Sequence, residues 1–254
     1  MSVSRNHNRR LPVRTGALLG AGCLLLAVSG CGEVKRNDNP DLIAGKQAFV
    51  AKCGSCHTLA RANTKGTVGP DLDEAFRADI AEGLRRSAVR TVVQGQVENP
   101  NRFGAMPKGL AEGATLKDIA AYVAEAAARP GQDTGLLASA VKAPGAGKPA
   151  VEKGGKLEIP ADPTGQLSYL SNKASAAAGA VTIAMPNMSG VSHNIALESG
   201  SGGASASGAV VGASPFTTKG TVSIKVTLKP GTYTFFCQAP GHRAAGMYGT
   251  LTVK

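Results

Sequence analysis

The chain has 254 residues, 43% of them apolar, with aromatics at only 4% and no tryptophan. That length allows two ordinary domains at about 150 residues each, and any packed core must rest on Val, Ile, Leu and Ala. The 28 Lys+Arg against 17 Asp+Glu give a formal charge of +11. No arginine cluster or aromatic interleaving accompanies that charge, which argues against nucleic acid as a partner and favours an acidic protein face or an anionic membrane surface.

The first predicted element is a targeting segment. Arg5, Arg9, Arg10 and Arg14 form a basic start, and GALLGAGCLLLAVSG (16–30) is an apolar run too short for a comfortable membrane span. It ends at Val28-Ser29-Gly30-Cys31, which resembles the lipobox of bacterial lipoproteins. The resemblance implies that residues 1–30 are a signal peptide and that Cys31 is lipidated, placing the protein on the outer face of a bacterial membrane. A plain secretory signal and an uncleaved anchor are the alternatives. Loss of that segment removes four of the 28 basic residues and no acidic ones, so the mature chain keeps a net charge of +7.

After a short spacer (31–39), residues 40–129 carry helical patterns: DLIAGKQAFVAKC, RRSAVRTVVQGQ (85–96) and TLKDIAAYVAEAAA (115–128). In the last, Leu116, Ile119, Ala120 and Val123 recur at helical spacing, Thr115 is placed to cap the start, and Arg129-Pro130-Gly131 is a stop signal. Residues 130–155, rich in Pro, Gly, Ala and Lys, read as a flexible linker spanning about 25–30 Å root mean square, with a helical pause near Leu136 to Val141. From residue 156 the pattern turns to short strands: KLEIPA, QLSYLSN, AVTIAMPN, HNIALES, GTVSIKVTL, GTYTFFC and GTLTVK. Strands at this spacing with no helices between them predict an antiparallel sandwich over 156–254.

Two constellations carry chemistry. In CGSCH (53–57) the thiols of Cys53 and Cys56 lie on one side of a helical turn beside His57, the pattern of covalent c-type haem attachment with a histidine on the iron. A thioredoxin-like redox pair is the alternative, but no βαβ pattern surrounds it. A sixth iron ligand is available in Met106, 49 residues beyond His57 and the one methionine in this segment. Phe49, Gly69-Pro70-Asp71-Leu72, Met106-Pro107 and Tyr122 in the final helix give the segment a resemblance to class I cytochromes c. That resemblance implies an all-α fold, His57 as proximal and Met106 as distal ligand, and the Pro70 carbonyl as partner to the histidine.

The second constellation is His193, Cys237, His242 and Met247. With Cys23 in the discarded segment and Cys31 given to lipid, Cys237 is the odd thiol left over. A thiolate and two imidazoles with a weak axial thioether describe a blue-copper electron-transfer site; a structural zinc would favour more thiolates. Met185 and Met188 read as packing or loop residues. The GTYTFFC strand, the Pro240-Gly241-His242 turn, the GTLTV strand and His193-Asn194 resemble the plastocyanin/azurin type of cupredoxin. The resemblance implies a Greek-key sandwich and Asn194 as the residue pinning the ligand loop.

Together these readings describe an electron carrier, not an enzyme: a lipid-anchored cytochrome c joined to a cupredoxin, one haem c and one type 1 copper, working between a quinol-oxidising complex and a terminal oxidase in a respiratory chain. Copper delivery to another protein, or electron donation to a periplasmic reductase, are the competing readings.

Overall fold

Asp41 opens the first helix: its carboxylate accepts from the backbone N–H groups of Ile43 and Ala44, satisfying two donors that a helix start leaves unpaired. The computed structural model describes residues 39–206 and 208–254. The expected signal peptide and the lipidation site at Cys31 lie outside the described residues. Among those described, no helix is long and apolar enough to cross a membrane.

The helical half comprises α1 (Leu42–Lys52), α2 (Leu72–Ala81), α3 (Arg86–Glu98) and α4 (Gly113–Ala126), with a small hairpin of β1 (Thr58–Leu59) and β2 (Thr64–Lys65) after the cysteines. Helix α1 crosses α4 closely because Gly45 has no side chain. A Cβ there would lie 2.2 Å from the Asp118 carbonyl oxygen. Phe49, Val50, Leu59, Leu116, Ile119, Tyr122 and Val123 form the core at this crossing, with the Phe49 and Tyr122 rings tilted 6.2 Å apart. Two sequence expectations shift here. Helix α2 falls outside the three helical patterns read from the sequence, and Asp71 caps it. Helix α4 starts at Gly113 from Glu112, not at a Thr115 cap, and ends at Ala126, three residues before Arg129.

The segment expected to be a flexible linker is folded onto both halves. Asp133 is buried and pairs with Lys46 Nζ (2.9 Å), Arg61 Nε (2.9 Å) and the Tyr122 hydroxyl (2.8 Å). Short helix α5 (Gly135–Ser139) follows, and Lys46 also donates to the Leu137 carbonyl. Strand β3 (Ala150–Val151) then pairs in parallel with β5 (Lys173–Ala176). Composition suggested a tether because Asp133 and its basic partners are remote in sequence. The described residues make one compact unit.

The C-terminal half is a two-layer β-sandwich. One sheet, in the order β3-β5-β11-β10-β7-β8, adds β7 (Ala196–Ser199), β8 (Val210–Ala213), β10 (Gly231–Phe236) and β11 (Tyr248–Val253). The other, β4-β6-β9, contains β4 (Lys156–Glu158), β6 (Gly179–Asn187) and β9 (Gly220–Leu228). The sheets are mixed, not purely antiparallel: β11 runs parallel to β5 and β4 parallel to β6. Alternation along a strand reports which residues are buried, but pairing direction depends on how the chain crosses between layers. QLSYLSN makes no strand. It contributes the bridge Ala161–Tyr169 and buries Tyr169, whose ring meets Phe235 edge-on at 5.4 Å. Ile183, Met185, Ile195, Leu197, Phe235, Met247 and Leu251 fill the space between the sheets. A four-residue helical turn, α6 (His242–Ala245), joins β10 to β11.

Candidate metal centre

His193 sits three residues ahead of β7, in an isolated bridge where its N–H donates to Thr217 O (3.0 Å) and Thr217 N–H returns the bond (2.9 Å). Cys237 follows the last residue of β10, with its N–H on the Met247 carbonyl (3.1 Å). His242 opens α6, and its carbonyl accepts from Met247 N–H (2.9 Å). Three separated segments therefore deliver donor atoms to one point. Cys237 Sγ lies 3.6 Å from His242 Nδ1 and 3.9 Å from His193 Nδ1, and the two Nδ1 atoms are 3.1 Å apart.

The electrostatics suit a soft cation. Burial, with a smaller contribution from His242, lowers the His193 imidazole to about 4, and burial also lowers His242. Both rings are neutral at ordinary pH and offer lone pairs. Burial raises the Cys237 thiol, while backbone N–H groups of Asn194 and Ala239 counter this in part. The donor set is one sulfur and two imidazole nitrogens on buried, converging atoms, with Met247 fully buried on the same loop. That set is what copper in a trigonal site with an axial thioether requires.

Residues 157–254 match the family model described as copper binding proteins, plastocyanin/azurin family. They form a plastocyanin/azurin-family copper-binding domain. Similar solved structures include a dithionite-reduced auracyanin from the photosynthetic bacterium Roseiflexus castenholzii (25% identity, 41% of this chain and 99% of that one, TM-score 0.36). Auracyanin B is 26% identical over 44% of this chain and 96% of its own (TM-score 0.35). Rusticyanin from Thiobacillus ferrooxidans is 21% identical over 42% of this chain and 82% of its own (TM-score 0.34).

The plastocyanin/azurin-family domain is a copper-based electron-transfer module, and its ligands are held by a shell of polar contacts. Asn194, fully buried, accepts from Gln238 N–H (2.8 Å) and donates to Gln238 Oε1 (2.9 Å) and the Ser214 carbonyl (3.1 Å). It thus ties the residue after Cys237 to the residue after His193. Met185 is buried in the core between the sheets and Met188 is exposed in a loop.

Sequence reasoning missed Arg243 and Glu198. Arg243, directly after His242, forms an ion pair with buried Glu198 on β7 and lies 4.1 Å from the centre of the Phe236 ring. It also donates to the carbonyls of Gly203 and Ser205, so the SGSGGASASG loop, which carries no side-chain chemistry, acts through its backbone. An arginine adjoining a ligand was the available signal; its partner, 45 residues away, gave none.

In the helical half, His57 Nδ1 is 2.9 Å from Pro70 O. Asp71 caps α2 immediately after that carbonyl, accepting from Asp73 and Glu74 N–H, so the helix start fixes the acceptor. Gly69 presses on the ring, since a Cβ there would lie 2.4 Å from His57 Cε1. With Nδ1 engaged, Nε2 is left for a metal. Burial raises the Cys53 thiol to about 12, which suits a thiol consumed in a thioether and not a redox-active thiolate. Met106 is half-buried against the helical core with Leu72, Ile80, Leu84 and Val93, while Val68, Val92 and Phe103 are exposed. Two free cysteines beside an imidazole oriented through Nδ1 fit a covalently attached macrocycle carrying iron.

Proposed function

We propose that this protein is a membrane-anchored electron carrier that relays electrons between a haem c, bound covalently by Cys53 and Cys56 and ligated by His57 and Met106, and a type 1 copper held by His193, Cys237, His242 and Met247. The observation that carries the reading is the convergence of Cys237 Sγ with the Nδ1 atoms of His193 and His242 in a buried site, in the same chain as a CGSCH whose histidine is oriented by Pro70. Each bound metal would supply a one-electron couple. The chain's own residues orient the ligands, and a ligand set that would fill both metals supports a carrier over an enzyme.

Asn194 and the Arg243–Glu198 pair hold the ligand loop in one arrangement, so little reorganisation accompanies a change of copper oxidation state. Lipidation at Cys31 would confine the carrier to the outer face of a membrane. There a quinol-oxidising complex and a terminal oxidase are its natural donor and acceptor, and the basic mature chain suits acidic docking faces on such partners.

The test is the visible spectrum of the mature protein, expressed with haem maturation and copper and titrated from fully oxidised to fully reduced. A sharp c-type band appearing on reduction, and an intense red thiolate-to-copper band bleaching with one further electron, are expected. A normal haem with no red band after copper loading would overturn the relay and leave a cytochrome fused to a domain of other purpose.

A further inference from the structure

Two glycines lie where the helical half meets the β-sandwich, and both lie beside residues of the metal sites. Gly165, at φ +87°, packs on the end of α1. A Cβ there would stand 2.6 Å from the carbonyl oxygen of Ala51, two residues before Cys53. Gly241, at φ +78°, directly precedes His242, and a Cβ on it would lie 3.1 Å from Thr67 Oγ1. Both positions favour glycine by backbone conformation, and at Gly165 the space is closed as well.

Thr67 is itself tied to the haem-attachment motif. Gly69 N–H donates to the Cys56 carbonyl (2.8 Å), and Thr58 Oγ1 donates to Gly66 O (2.9 Å), which folds the 64–69 loop back over Cys56. A narrow crevice is lined by Gly54, Thr64 and Lys65 from the helical half and by Leu167 and Ala245 from the sandwich. Ala245 belongs to α6, whose first residue is His242. Independent links clamp the same arrangement: Asp133 holds the start of the connecting segment on α1 and Arg61, and Gln166 donates to the Lys142 carbonyl. His193 is enclosed, whereas His242 keeps partial exposure, so the ligand on the contacting turn is the accessible one.

We infer that the Gly241–Thr67 contact is a built electron-transfer junction that holds the CGSCH loop against the His242 turn in one preorganised arrangement. The inference rests on the relay reading above and deepens it. With both groups bound, the iron held by His57 and Met106 and the copper held by His193, Cys237, His242 and Met247 would each supply a one-electron couple, so that one centre would be oxidised by one electron as the other is reduced, with no proton moved and no bond made, and external one-electron donors and acceptors would reset the pair. Transfer is therefore unimolecular and does not wait on a swinging linker.

The test uses the full mature chain and two wedge variants that replace no ligating residue, Gly165→Val and Thr67→Trp. Amide hydrogen exchange on the apo chain reads the junction without either metal. Residues 64–67 and 241–245 are expected to be protected in the parent and to lose protection in both variants. In the metal-loaded chain, flash reduction by a photoexcited flavin should be followed by exchange of the electron between the haem and copper bands at a rate independent of protein concentration. The wedges should slow it several-fold, because tunnelling weakens with each added ångström between the centres, while both absorption bands persist. Unprotected junction amides in the parent, a parent rate that rises in proportion to concentration, or wedges that match the parent would overturn the junction and leave the relay standing. Absence of either absorption band in the parent would overturn both.

Discussion

Replacing Arg243 with methionine tests whether the turn bearing His242 is pinned by a buried ion pair. The Glu198 side chain is 1% exposed and that of Arg243 13%. Removing one partner of such a pair costs about 3–5 kcal/mol, because a buried carboxylate loses its compensating charge. Loss of the cation–π contact with Phe236 acts in the same direction. For a unit of this size, each kcal/mol corresponds to about 2–4 °C in Tm, so Arg243→Met should lower the apo-protein Tm by roughly 6–20 °C. Replacing both partners, as Glu198→Leu with Arg243→Met, should recover much of that loss, since two apolar side chains leave no stranded charge. Calorimetry on the four proteins of this cycle gives the coupling energy directly. Copper release to a chelator should be faster in the single variant, because α6 loses its tie to β7. A single variant within about 2 °C of the parent, with unchanged copper release, would refute the pin.

Cys237→Ser should abolish the intense red absorption of the copper-loaded protein while the apo form still unfolds cooperatively; a retained band would mean that another residue supplies the sulfur. Met106→Ala, in the haem-loaded protein, should let carbon monoxide bind the ferrous iron where the parent resists it, and equal binding by both would remove Met106 from the ligand set. Asp133→Asn should lower the urea midpoint at neutral pH, by an amount equivalent to about 3 kcal/mol for breaking a buried pair. Burial opposes the Asp133 charge, but hydrogen bonds from Arg61, Lys46 and Tyr122 prevail and hold the carboxyl below its ordinary range. A depressed carboxyl stabilises the fold fully above about pH 4, the unfolded value, and loses that contribution as pH falls through the lower folded value. The parent and Asp133→Asn curves should therefore converge at acid pH, and a constant offset down to the lowest pH would contradict this assignment.

The candidate copper ligands were legible because chemistry restricts them: an odd cysteine followed at short intervals by a histidine and a methionine has few other uses. CGSCH was equally legible, as were α1, α3, α4, β6, β9 and β10, whose apolar periodicities survive folding. Local pattern could not report what joins segments far apart in the chain. Asp133 lies in a Gly- and Pro-rich stretch that reads as a tether, yet Lys46 and Arg61 draw it into a buried hub. Glu198 on β7 has the alternation of an ordinary strand residue, and only tertiary packing sets it under Arg243. The parallel pairings of β5 with β11 and of β4 with β6 depend on crossovers that periodicity does not encode. The sequence by itself determined which atoms can bind metal, since ligand chemistry resides in side-chain identity. Tertiary structure decided that Gly165 packs on the end of α1 and Gly241 beside Thr67, because such close approach depends on backbone conformation and free space contributed by both halves of the chain.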